Sequence, residues 1–353
     1  MLILYITYVD MSGGSSGSGV RPQKMYRAFL DEGHEVKLLS GTQQRWDREA
    51  RTAAVKEVGR WLDENRPDLC YIESPSNPIL FRCDIALIRK LQRQKIPTGF
   101  FYRDYFYKFP ELFAPRRGFV GRTKDLYLRL LRGRMERVMR KCSVVYFPSE
   151  EAASLFAYPV SRLLPPGGEN RLDGCAPQND AAIYVGGLTG TYNGGLILDT
   201  FCTMNKEKIR KKLILVCREA EWNALKHPAK NAPWLEVHHA SGEELVPLYR
   251  RAGYAIAMYD GQAYANLAVS VKLYEYLSYG LPILVSGSAA MERIVRENGA
   301  GVSAPLNVPE LAGAVEELTE NRSIYAQRAA AALLGGNLWT DRVKQIVRDL
   351  TGR

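Results

Sequence analysis

LILYITYVDMSGGSSGSGVRPQKMYRAFLDEGHEVKLLS, residues Leu2–Ser40, reads as strand, glycine loop, helix and strand. LILYITYV and EVKLLS are apolar, β-branched runs of strand length, and Met25, Ala28, Phe29 and Leu30 fall at helical spacing between them. Pro22 is expected at the first helical position, with Gly33 at the end. Composition alone would make the glycine-serine run a linker, because those residues give the softest backbone. Its position argues otherwise, since a linker is not expected between a buried strand and the helix that packs on it. The loop is therefore read as ligand-facing, with a merely permissive turn as the alternative.

The same alternation continues through DLCYIES, PTGFFYRD and SVVYFPS, separated by helices through WDREARTAAVKEVGRWLDEN and NPILFRCDIALIRKLQRQ. Short apolar strands divided by helices predict right-handed βαβ units and a parallel sheet covered on both faces. LLPPGGENRLDGCAPQND, residues 163–180, carries no period and reads as the linker. Beyond it the alternation restarts with AAIYVGGL, KLILVCR, WLEVHHA, YAIAMY and PILVSG. At 353 residues, two domains are the default. The expected fold class is α/β: two Rossmann-like doubly wound domains, residues 1–168 and 169–338, with the helix over 339–353 packing back on the first. Two such domains facing each other would put the carboxyl ends of both sheets on one central cleft.

The first apolar run ends at Asp10, too early for a signal peptide, and no run approaches the roughly eighteen apolar residues of a spanning helix. A cytoplasmic chain is expected. Six cysteines stand singly with no CxxC pair, which fits reduced thiols, and four histidines argue against a His-rich metal site. The net charge of +10 is uneven: from Arg116 to Lys141, ten of twenty-six residues are Arg or Lys, opposed only by Asp125 and Glu136. Apolar residues are interleaved with them. That composition suits an anionic membrane surface, at the inner face of the plasma membrane; the other reading is a helix that packs on its own domain and solvates its charges. No nucleic-acid motif accompanies it, and no nucleic-acid partner is expected.

The most specific stretch is SVKLYEYLSYGLPILVSGSAAMERIVRENGAGV, Ser270–Val302. A helix starting near Ser270 carries Lys272 and Glu275 and ends before Gly280. Its free N–H groups and dipole, with the adjacent ammonium, suit an anion, and Glu275 one turn on can accept hydrogen bonds from vicinal hydroxyls. KLYEYLSYGLPILVS followed by ERIVRENGAG resembles the nucleotide-binding motif of GT-B glycosyltransferases of the family 4, or group 1, kind. The opening strand and glycine loop, GHEV, AAIYVGGL and the last helix after Leu338-Trp339 are similar to other parts of the same enzymes, so the resemblance covers nearly the whole chain.

The resemblance implies a glycosyltransferase using a nucleotide sugar, by preference UDP-linked, on a glycan or lipid-linked acceptor in cell-surface polysaccharide synthesis. It implies no resident cofactor and no metal. Glu275 matches the second glutamate of the family's pair and would hold the ribose, while Leu267 stands where the first is expected. Gly187 and Asn193 occupy the places of the usual basic pair, so Lys272 and Ser270 would serve the diphosphate, with Arg218 as a second phosphate contact. In FFYRDYFYKF, Arg103 stands in the histidine's place of a His-Asp pair, and Asp104 keeps the acid as candidate general base. Gly17 and Gly19, with Gly13 and Gly14, would let the first loop approach the donor, and Arg21 would meet the acceptor. His238 and His239 are weaker candidates bordering the base. The rivals are an epimerase on the same fold and a non-catalytic nucleotide-binding scaffold. A dinucleotide fingerprint is disfavoured, because Pro22 stands where its third glycine belongs.

Overall fold

The computed structural model describes residues 1–11, 19–112, 118–172 and 180–352. The chain divides into two compact units, Met1–Pro165 with Trp339–Arg353, and Pro166–Leu338. In the first, β1 (Leu2–Ile6), β2 (Glu35–Leu39), β3 (Leu69–Glu73), β4 (Thr98–Phe101), β5 (Val144–Phe147) and β6 (Ser161–Leu163) form one sheet in the order β2-β1-β3-β4-β5-β6. All its pairs are parallel. β3, β4 and β5 are buried at every residue, which is why they carry apolar side chains on both faces. β6 was not expected from sequence: Ser161-Arg162-Leu163 has no apolar run, and the strand exists because β5 offers it an edge from Val145 to Phe147.

The first helix, Val20–Asp31, starts two residues before Pro22, so the proline lies within the first turn and not at the first position. Its buried stripe is Arg21, Met25, Ala28 and Phe29, and Leu30 is 40% exposed instead of entering the core. Arg21 sets that rotation. Its guanidinium lies 3.8 Å from the centroid of Phe101 and its Nε 3.3 Å from Oε1 of the buried Glu73, which also accepts from Tyr71 at 3.1 Å. Arg21 is thus a core residue of the first unit, contrary to the expected acceptor contact. The last helix, Trp339–Thr351, packs in this unit through Trp339, Arg342, Val343, Ile346 and Leu350, and Gln345 donates to the carbonyl of Leu163 at 2.7 Å.

A second buried pair ties the carboxyl ends of β1 and β2. Arg51 donates through Nε and Nη2 to Asp84 Oδ1 at 3.0 and 2.8 Å, and through Nη1 to the carbonyls of Thr7, Ser40 and Gly41 at 3.0, 2.9 and 3.2 Å. Both side chains are almost fully buried.

The second unit holds β7 (Ala181–Val185), β8 (Lys212–Val216), β9 (Leu235–His238), β10 (Tyr254–Met258), β11 (Ile283–Ser286) and β12 (Gly301–Ser303), ordered β12-β11-β10-β7-β8-β9 and again parallel throughout. Winding outward from β7 first one way and then the other places a topological switch point between β7 and β10. The described part of the expected linker is not free chain. Gly168 N donates to Asn337 O at 2.8 Å, Glu169 N to Ser278 Oγ at 2.9 Å, and Arg171 forks onto Glu243 at 3.0 and 2.8 Å. A Cβ on Gly168 would fall 2.5 Å from Leu333 and 2.9 Å from the Tyr274 carbonyl, so glycine is needed for that approach.

Asp84→Ala leaves the Arg51 guanidinium buried without its counter-charge. Urea unfolding should show the first unit destabilised by about 3–5 kcal/mol.

Candidate functional site

The helix Val271–Ser278 starts where Ser270 Oγ accepts from Lys272 N at 3.1 Å, and it buries Leu273, Tyr274, Tyr276 and Leu277. Tyr276 fixes where this helix lies. Its buried hydroxyl donates to Ile256 O of β10 at 3.2 Å and accepts from Val185 N at the end of β7 at 3.1 Å. The helix is thereby fastened across the switch point, and burial raises the phenol's pKa so that it stays a donor.

Near the amino end of the helix stands Tyr259, the residue after β10, whose pKa is pushed up to about 12, mainly by burial and against a lowering effect of Ser270. The Tyr259 ring lies 5.5 Å from that of Tyr192, and Asn193 Nδ2 donates to the Tyr259 carbonyl at 2.9 Å. Gly187, just past β7, lies under Tyr192: a Cβ there would be 2.5 Å from the ring. Glu221 closes the other side, accepting from Leu188 N at 2.6 Å and pairing with Arg218 Nη1 at 2.8 Å, while the Arg218 side chain remains 79% exposed. Gly187, Arg218, Ser270, Lys272 and Glu275 are thus linked around one switch point through Tyr192, Tyr259 and Glu221.

Lys272 Nζ and the Tyr249 hydroxyl both contact Glu275 Oε2, each at 2.7 Å. Among the described residues Oε1 has no hydrogen-bond partner, and the side chain is 25% exposed. Burial and the neighbouring Glu275 charge hold the Tyr249 phenol well above its ordinary pKa, so it is a fixed donor. Tyr249 in turn stacks on Tyr279 with centroids 4.8 Å apart. The arrangement orients one carboxylate oxygen outward and keeps an ammonium at the first turn of a helix.

His238 and His239 have other partners. His238 Nε2 lies 2.6 Å from Glu236, which also binds Arg251, and His239 Nδ1 lies 2.9 Å from the Cys217 carbonyl. In the first unit, Asp104 follows β4 and pairs with Arg103 at 3.6 Å, while Arg103 N donates to Ser74 Oγ at 3.0 Å. Gly19 is the residue that opens the first helix; Gly13, Gly14 and Gly17 lie outside the described residues. Leu267, in the place of the first glutamate, is buried in a short 3-10 turn. Among the described residues no group of three or more His, Cys, Asp or Glu could hold a metal ion.

Residues 180–321 match the family model of glycosyl transferases group 1. The match lies within the second unit. No curated protein matches the chain. Among solved structures, a glycosyltransferase from Rickettsia africae is similar over 100% of this chain and 99% of its own, with a TM-score of 0.67 at 10% identity. HepE of Anabaena in complex with UDP is similar over 100% of both chains, with a TM-score of 0.66 at 13% identity, and its complex with UDP-glucose gives 0.64 at 14%. These likenesses show the fold, the two-domain GT-B architecture of parallel sheets.

The second unit places at this site residues that sequence reading passed over. The roles of Tyr249 and Tyr276 leave no mark in the local pattern, because their hydroxyl partners lie far away along the chain: Val185 is 91 residues from Tyr276 and Glu275 is 26 from Tyr249. Tyr276→Phe should leave Val185 N unsatisfied and cost about 1–3 kcal/mol in the urea unfolding of the second unit.

Proposed function

We propose that the chain is a glycosyltransferase that moves a sugar from a UDP-sugar to a hydroxyl of a glycan or lipid-linked acceptor in cell-surface polysaccharide synthesis. The observation that carries the reading is the Lys272–Glu275 pair on a helix start at the switch point of a group 1 glycosyltransferase domain. HepE, with the same fold, is described with UDP and with UDP-glucose.

In this reading Glu275 Oε1 accepts from the ribose hydroxyls, with Tyr249 holding the carboxylate in place. Lys272, the N–H groups after Ser270 and Arg218 meet the diphosphate, which gathers negative charge as the bond to the sugar breaks. Gly187 lets the backbone approach the donor. The acceptor oxygen attacks the anomeric carbon, the carbon–oxygen bond to the diphosphate breaks with its electron pair leaving on UDP, and Asp104 takes the acceptor proton. That assigns an inverting transfer. Leu267 contributes no carboxylate, so the load on Glu275 and Lys272 is greater than in a paired-glutamate site.

Calorimetric titration with UDP, GDP, CMP and NAD tests the nucleotide assignment. UDP should bind, Glu275→Ala should abolish most of the affinity, and Tyr249→Phe should weaken it about tenfold through loss of one hydrogen bond to a charged group. Binding of NAD alone, or of none, would overturn the assignment. With a UDP-sugar and a hydroxyl acceptor, Asp104→Asn should lower kcat by about a hundredfold or more while UDP affinity stays unchanged. UDP binding without any sugar transfer would favour a scaffold, and conversion of the donor sugar without an acceptor an epimerase.

A further inference from the structure

The basic stretch forms the helix Gly118–Met139 of the first unit. Leu131, Met135, Val138 and Met139 are buried, so one face is core, as the domestic reading of the stretch requires. The opposite face is unusual. Leu126 and Leu130, four residues apart, are 59% and 66% exposed, and Tyr127 beside them is 55% exposed. Exposed Arg122, Arg129 and Arg137 share that face with the leucines, at spacings of four, seven, eight and fifteen residues from Arg122.

Lys124 is exposed as well, and three other charges of the helix are spent inside. Arg132 lies over the Tyr107 ring at 3.5 Å, Arg134 donates to the carbonyls of Ile79 and Leu80 at 3.2 and 3.0 Å, and Glu136 accepts from Tyr107 at 3.0 Å. Asp125, the other acid of the helix, is half-buried. The outward face therefore carries cations and large apolar groups with no exposed acid. The adjacent helix Arg82–Arg93 adds exposed Arg82 and Arg89, whose charges, after burial itself, help lower the pKa of Arg134. Among the described residues no helix is long and apolar enough to cross a membrane, so any lipid contact of such a helix is lateral.

We propose that this face docks the first unit on an anionic lipid surface, with Leu126 and Leu130 entering the headgroup–acyl boundary and Arg122, Arg129 and Arg137 meeting lipid phosphates. Charge complementarity selects anionic lipid, and the leucine ridge selects a bilayer over a soluble polyanion, to which leucine side chains offer nothing. Long arginine stems let the guanidinium groups stay at headgroup level while the ridge goes deeper. The inference rests on the first unit alone and stands apart from the nucleotide reading of the second.

Co-sedimentation of the full chain tests it, with phosphatidylcholine vesicles that contain or lack phosphatidylglycerol. The chain should pellet with the anionic vesicles only, and raised salt should weaken the binding. The double variants Leu126→Ser/Leu130→Ser and Arg122→Gln/Arg129→Gln should each lose about tenfold or more in affinity. Unchanged circular dichroism and urea midpoints would show both variants folded, as expected for exposed positions. Failure to pellet with anionic vesicles at low salt would overturn the proposal. So would full vesicle binding by the leucine variant, which would mark the arginines as a general polyanion surface, nucleic acid included.

Discussion

The Tyr276 hydroxyl is the contact on which the candidate site of the second unit depends. β7 and β10 pair through Tyr254–Ala182, Ala255–Ile183 and Ile256–Tyr184, and the pairing stops at the switch point, where the chain leaves in opposite directions. There the Val185 N–H would lose its strand partner in a dry interior. Tyr276 supplies the acceptor and donates its own O–H to the Ile256 carbonyl, so one side chain satisfies both strands. Because that side chain belongs to the helix carrying Ser270, Lys272 and Glu275, satisfying the sheet and positioning those residues are the same event.

The first unit meets a related problem with charge. Arg51 satisfies three strand-end carbonyls and one carboxylate, a well-bonded buried cation. Arg21 and Glu73 are less complete: among the described residues, Arg21 Nη1 and Glu73 Oε2 have no hydrogen-bond partner. Buried ion pairs add little net stability against apolar replacements, but removing one member is costly, so both pairs constrain which arrangement of the strand ends is acceptable. Arg21 also determines the rotation of the first helix, which explains why its apolar residues do not all face inward.

Much of the architecture was legible because parallel sheets buried on both faces leave a plain signature of short apolar strands between amphipathic helices. The Lys272–Glu275 spacing was equally legible, since three residues on a helix place both side chains on one face whatever the rest of the fold does. Arg21 was misplaced because an arginine after a glycine loop reads as exposed unless its partner is known, and Glu73 lies 52 residues on. β6 escaped because an edge strand of three residues is defined by the neighbour it pairs with, not by its own side chains. In the basic helix, composition showed charge and apolar character together but could not say which leucines the core would take.

By itself the sequence determined the local terms: where strands and helices form, that two α/β sheets are built, and which residues of the Ser270 block share a helix face. Those properties follow from periodicities within some twenty residues. Tertiary structure alone decided that Tyr249 orients Glu275, that Tyr276 fastens the helix across β7 and β10, that Arg21 is interior, and that Leu126 and Leu130 remain outside. Each of these depends on a partner brought close by folding, and a buried hydrogen bond or an exposed ridge exists only once the rest of the chain has taken its place around it.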